Sequence, residues 1–194
     1  MRIGLYGGTF DPVHLGHLRA AETAREAMAL DLVAFLPAAV PPHRGVAPLS
    51  PALDRLEMAR LATAPHPRFE AWDAELRRPG PSYTVETVSA LLCERPDDTF
   101  VLVVGADTWP EIVTWRDPEK LLSLVEVAVV DRPGYPAEEP LVRFPAARGA
   151  RRAEGPALSI SATEVRERAR AGRSLRYLVP DPVAEYIVTR RLYT

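Results

Sequence analysis

Two histidines stand three residues apart in the segment GGTFDPVHLGH, Gly7 to His17, directly behind the apolar run RIGLY. At i and i+3 on a helix, His14 and His17 would project from one face of the first turn. A helix start also carries unsatisfied N–H groups and the positive end of the dipole, a ready place for an anion. Gly16 between the histidines would let a ligand come close to the backbone. Three readings compete. Zinc usually wants a third protein ligand and an i, i+4 pair with a glutamate base between, and only His43 and His66 remain elsewhere. Capping or packing histidines would need no ligand at all. A phosphate site accounts for the glycine turn, the helix start and the imidazoles together.

The elements that must position this pair are legible from periodicity and punctuation. Buried strands are predicted over 2–6, 32–37, 99–107 and 125–132, with a shorter one in RFEAW, 68–72. Helices are expected from His14 to Ala29, over 51–64 and 83–94, and near 161–171 and 181–191. Ser50 is expected to N-cap the second helix with Pro51 at its first position, and Ser82 to cap the third. Proline and glycine mark loops over 38–50 and 133–156, the latter with some strand content, and ALSI, 157–160, adds a further strand. Strands alternating with helices imply an α/β protein, a parallel sheet covered on both faces. Ligands bind such sheets beyond the carboxyl ends of their strands. The Gly7–Gly8 turn and the segments after Leu36, Val104 and Val130 would then converge on one rim.

Composition narrows the partners. The 194 residues suffice for one domain with a substantial core, the expected C-terminal helical part beginning near residue 161. A net charge of -2 gives no electrostatic case for nucleic acid or a polybasic membrane contact. No apolar run approaches a membrane span, and MRIGLYGG opens as a strand rather than a signal peptide, so the expected address is the cytoplasm. Cys93 is the only cysteine, which excludes a disulfide framework and a thiolate metal cage; on its apolar helical face it reads as core. Lys120 is the only lysine and asparagine and glutamine are absent, so no Walker lysine exists.

GGTFDPVHLGH resembles the H-x-G-H signature of a nucleotidyltransferase superfamily with a Rossmann-like, doubly wound fold, and its extended form is similar to that of bacterial nicotinate-nucleotide adenylyltransferases. Four further blocks resemble the same family in the same order: VPPHR (40–44), with Arg44 where the family has lysine, PSYTVET (81–87), GADTWPEIVTW (105–115) and ISATEVR (160–166). YLVPDPVAEYI resembles its C-terminal stretch, so the likeness spans essentially the whole chain. It implies transfer of the adenylyl group of ATP to nicotinic acid mononucleotide, with Mg²⁺ arriving on the ATP. A homo-oligomer is compatible with it.

Elementary chemistry agrees with that reaction. A phosphate monoester has a second pKa of about 6 and is already a nucleophile at neutral pH, so positioning and charge stabilisation suffice. The resemblance implies catalytic roles for His14, His17 and Arg166, and an ATP site at Gly7, Gly8, Thr9, Phe10, Gly105, Asp107, Ile160, Ser161 and Thr163. It implies a mononucleotide site at Arg44, Tyr83, Thr84, Asp107, Trp109 and Trp115. Each has a plainer role as well. Ser161 or Thr163 could simply cap a helix, Asp107 could cap another, Thr9 and Asp11 could shape the turn, and Arg166 and Arg44 could be solvated. Both tryptophans could be core rather than platforms for a pyridinium ring. A phosphopantetheine transferase, a nucleotide-binding regulator without catalysis and a metal-dependent hydrolase are the competing functions. The Ser82 helix start would leave the N–H groups of Tyr83 and Thr84 free for the pyridine carboxylate.

Overall fold

A computed structural model describes residues 1–42, 50–135 and 149–194. Six strands form one sheet: β1 (Arg2–Gly8), β2 (Leu32–Pro37), β3 (Phe69–Ala71), β4 (Thr99–Gly105), β5 (Glu126–Val130) and β6 (Ala150–Ala153). Every pairing is parallel, in the spatial order β3-β2-β1-β4-β5-β6. This is the doubly wound arrangement, with its topological switch between β1 and β4. Between the strands lie helices α1 (Leu15–Ala27), α2 (Ala52–Thr63), α3 (Thr84–Glu94) and α4 (Pro118–Leu124), with a 3-10 turn at Trp109–Thr114. Helices α5 (Ala162–Arg170) and α6 (Asp181–Thr189) close the chain.

Alternation along the central strands divides the core. Val33, Phe35, Val101 and Val103 face one side, against Ala21 and Ala24 of α1, Met58 of α2, Val165 of α5 and Val183 of α6. Ile3, Leu5, Ala34, Leu102 and Val104 face the other, against Val88 of α3 and Leu121 of α4. The C-terminal helices therefore share the sheet's own core.

Several local expectations are corrected. Ser50 is not the N-cap of α2: Pro51 holds that position and Ser50 is buried, its N–H directed at Asp11 Oδ2, 3.5 Å. Ser82 does not cap α3, whose N-cap is Tyr83; its Oγ accepts from the Ala39 N–H at 2.9 Å instead. Tertiary partners took the Ser82 hydroxyl and the Ser50 N–H. No strand forms at 157–160; β6 lies at Ala150–Ala153, pairing with β5 from Val127↔Ala150 to Val130↔Ala153. Cys93 is exposed rather than core, because the buried face of α3 runs through Val85, Val88 and Leu91. Among the described residues, no helix is long and apolar enough to cross a membrane.

Candidate active site

The carboxyl ends of β1, β2, β4 and β5 open onto one cleft of about 1340 Å³, solvent included. Gly7, Gly8 and Thr9 line it from β1, Ala38 and Pro41 from β2, Gly105 and Asp107 from β4, and Arg132 from beyond β5. The rim expected from strand order thus exists. A smaller recess of about 470 Å³ adjoins it, and Tyr6, His17, Gly105 and Arg132 line both.

His14 is the N-cap of α1, and the two imidazoles stack with centroids 3.7 Å apart. The His14 N–H donates to His17 Nδ1 at 3.2 Å, which fixes the His17 ring at the mouth of the cleft. His14 itself is 3% exposed, borders the smaller recess, and has a buried Nδ1 without a hydrogen-bond partner among the described residues. Burial, helped by the positive charge of Arg132, pushes its pKa down to about 4, so it is a neutral imidazole at physiological pH. Gly16 serves this pair: a Cβ there would meet the His14 ring at 3.0 Å. The glycine makes room for an imidazole, where the sequence suggested room for a ligand.

The α1 terminus is less open than the spacing implied. Leu15 donates its N–H to the Leu178 carbonyl at 2.8 Å and His17 its own to the His14 carbonyl at 2.9 Å. Of the first three N–H groups, only that of Gly16 has no partner among the described residues. The turn leading there holds Phe10 at φ 49 and buries its ring edge-on to Tyr6 and His17, at centroid separations of 5.6 and 5.1 Å.

From the far end of the chain, α5 brings Arg166 to the cleft. Its Nη1 donates to the Asp11 carbonyl at 2.8 Å and its Nη2 to Thr163 Oγ1 at 3.0 Å. Ser161 caps α5, its Oγ accepting from the Glu164 N–H at 3.1 Å. Neither Ser161 nor Thr163 lines the two cavities with its side chain, whereas the Ala162 and Thr163 N–H groups have no partner among the described residues. Ile160 lines the smaller recess. Asp11, 5% exposed, ties the turn to the C-terminal segment: Oδ1 accepts from the Tyr193 hydroxyl at 2.7 Å.

The opposite wall departs further from expectation. Thr84 and Trp115 line the cleft, but Trp109 is 8% exposed and packed in the core with Ile112 and Leu121. Tyr83 also turns away, its ring half-buried under the Arg116 guanidinium at 5.2 Å, and its N–H is spent on the Pro81 carbonyl at 3.0 Å. The Thr84 and Val85 N–H groups, at the first two positions of α3, have no partner among the described residues. His43 and Arg44 lie outside the described residues.

Two cleft residues escaped the sequence reading. Arg132 pairs with Asp107 Oδ2 at 3.0 Å, lines the smaller recess with His14 and His17, and its positive charge acts on His14. Its position just past a predicted strand, on the converging rim, was the available signal. Glu75 lines the cleft while 6% exposed, its carboxyl held by the Thr87 hydroxyl at 3.0 Å and its pKa raised by burial. Nothing in its spacing marked it. Among the described residues, no cluster of three or more histidine, cysteine or carboxylate side chains could hold a metal ion.

The arrangement is a cleft lined by the His17 imidazole, the Arg132 and Arg166 guanidiniums, the start of α5, the Trp115 indole and Thr84. The cytidylyltransferase-like family matches residues 5–168. A Thermus thermophilus protein named "Probable nicotinate-nucleotide adenylyltransferase" is 46% identical over 194 residues, covering 100% of both chains. One of that name from Geobacter metallireducens is 42% identical over 213 residues, covering 100% of this chain and 99% of its own. Among solved structures, Plasmodium falciparum nicotinic acid mononucleotide adenylyltransferase complexed with NaAD superposes with a TM-score of 0.82, over 99% of this chain and 97% of that one. At 19% identity this last likeness is one of fold.

Proposed function

The chain belongs to the nicotinate-nucleotide adenylyltransferase family, within the wider cytidylyltransferase-like family, and we propose that the cleft joins ATP to nicotinic acid mononucleotide. The phosphate of the mononucleotide attacks the α-phosphorus of ATP. A new O–P bond forms, the α–β bridging bond breaks, and pyrophosphate leaves with the electron pair. The observation that carries this reading is that His17, Arg132, Arg166, Ala162 at the start of α5, Trp115 and Thr84 all line one cleft.

Charge dictates the roles. Negative charge gathers on the non-bridging oxygens and on the departing pyrophosphate, and preorganised donors there act without reorganising. His17 supplies a donor at the mouth of the cleft, held in orientation by the His14 N–H. His14, neutral in its buried position, offers one N–H and no charge. Arg166 and Arg132 supply the cations, each already anchored to the protein and so aimed before substrate arrives. No general base is required, because the attacking phosphate is ionised near neutral pH. Mg²⁺ would be held by the phosphate oxygens of ATP, where it neutralises charge; no carboxylate cage for it exists among the described residues.

At the other end, the Trp115 indole suits a pyridinium face and the Thr84 N–H suits a ring carboxylate. A donor-only subsite disfavours the amide, which would press an NH₂ against another donor. Mispairing a buried polar group costs about 1–3 kcal/mol and charge-assisted bonds are stronger, so a preference for the acid of at least about tens-fold is expected. Pyrophosphate release from ATP with nicotinic acid mononucleotide, its amide or phosphopantetheine tests the reading. Fastest release with the acid supports it. Equal kcat/KM for acid and amide removes the acid specificity, and release with phosphopantetheine alone removes the function.

A further inference from the structure

Arg55 is a guanidinium with 1% exposure, on the buried face of α2, and the reaction above makes no use of it. Its three nitrogens all donate to backbone carbonyls: Nη1 to Thr9 at 2.8 Å, Nε to Ser50 at 3.2 Å, and Nη2 to Ala39 at 3.3 Å. Among the described residues Arg55 forms no direct ion pair; the carboxylates of Asp11 and Glu75 act on it only through space. Burying a cation without a directly paired anion is expensive, and an apolar side chain would fill the space at lower cost. Such a group is accounted for by what it holds.

The three carbonyls belong to separate parts of the cleft. Thr9 is in the turn that leads from β1 to the histidines. Ala39 leaves β2, and its N–H donates to Ser82 Oγ at 2.9 Å, while the Ser82 N–H donates to the Val40 carbonyl at 2.9 Å. Ser82 also bonds Glu75, whose other partner is Thr87 of α3. On the opposite side, the Ser50 N–H points at Asp11 Oδ2 at 3.5 Å. One polar chain therefore runs beneath the cleft from the α3 terminus, through Ser82, Ala39 and Arg55, to Thr9 and the phosphate end.

We propose that Arg55 is a positioning residue that sets the spacing between the two substrate half-sites, with Ser82 as its link to α3. The inference rests on the reading of the cleft given above. Each half-site keeps its own contacts without Arg55, so each substrate still binds. The alignment of the attacking oxygen with the α-phosphorus is lost, and a misplacement of about 1 Å can cost roughly a hundredfold in rate. A lysine cannot reproduce the contact, since its point ammonium does not span three carbonyls.

The test uses the full chain with Arg55→Lys, Arg55→Met, Ser82→Ala and the Arg55→Lys/Ser82→Ala pair. Kinetics are taken well below each measured unfolding midpoint and normalised to the folded fraction. Expected for Arg55→Lys is a kcat at least tenfold lower, with KM for ATP and for nicotinic acid mononucleotide each within about threefold of wild type. Ser82→Ala should lower kcat less, and the double variant should fall short of the product of the two losses. A kcat per folded molecule within twofold of wild type, or a loss carried wholly by KM, overturns the proposal. If neither Arg55 variant folds, Ser82→Ala decides alone by the same two criteria. Wild type that forms no product from these substrates defeats the functional reading; an active wild type with an unaffected variant defeats only the role of Arg55.

Discussion

Arg166 and Asp11 are 155 positions apart in the chain and are joined by one hydrogen bond, from Arg166 Nη1 to the Asp11 carbonyl at 2.8 Å. With Nη2 on Thr163, the guanidinium ties the start of α5 to the turn before the histidines. Its fork is therefore occupied by protein before any phosphate arrives, and only the remaining N–H groups are left for ligand.

Arg166→Lys should be poorly tolerated because an ammonium cannot bridge Asp11, Thr163 and a phosphate together. Steady-state kinetics with ATP varied should show kcat/KM lowered by about tenfold or more, with the unfolding midpoint little changed. Unaltered ATP kinetics would mean that Arg166 serves only the protein.

The two histidines should differ in how they fail. His17→Ala removes a donor at the cleft mouth, and loss of such a donor costs on the order of a hundredfold in kcat. His14→Ala removes the ring stacked on His17 and leaves a void, so it should lower kcat and stability together. Turnover near wild type in folded His17→Ala would exclude it from the chemistry.

His14 also makes stability depend on pH. Its folded pKa, about 4, lies below the unfolded value near 6.5. Between those values the unfolded chain binds the proton and the native chain does not, so stability is full above about pH 6.5 and falls as pH drops toward 4. The loss from this residue amounts to at most about 3 kcal/mol. Denaturant titrations of wild type and His14→Phe at pH 7 and pH 4.5 should show the variant losing less; parallel losses would refute the assignment.

Trp109 and Trp115, alike in sequence, should separate cleanly. Trp109→Ala opens a core cavity and should cost about 3–5 kcal/mol of stability. Trp115→Ala should instead raise KM for the mononucleotide several-fold while KM for ATP stays near wild type. A Trp115 variant with unchanged mononucleotide KM would remove the ring platform.

Much of this protein is local enough to be legible in its sequence. Short apolar runs identified five of the six strands, and β2 at Leu32–Pro37 agrees to the residue, because a doubly covered strand must be apolar throughout. Strand–helix alternation determined a parallel sheet, and a parallel sheet necessarily gathers its strand ends on one rim. The spacing of His14 and His17 was enough to put both at the start of α1. The fates of individual polar groups were not local. Whether Ser82 caps a helix or holds Ala39, whether Tyr83 keeps a free N–H, and which of two tryptophans is buried depend on partners tens of residues away. Arg132 was marked only by its place past a strand on the rim, and Glu75 and Arg55 were invisible for the same reason: a cation or carboxylate in sequence reads as solvated surface. Only the packed fold removes water from it and makes its remaining partners matter.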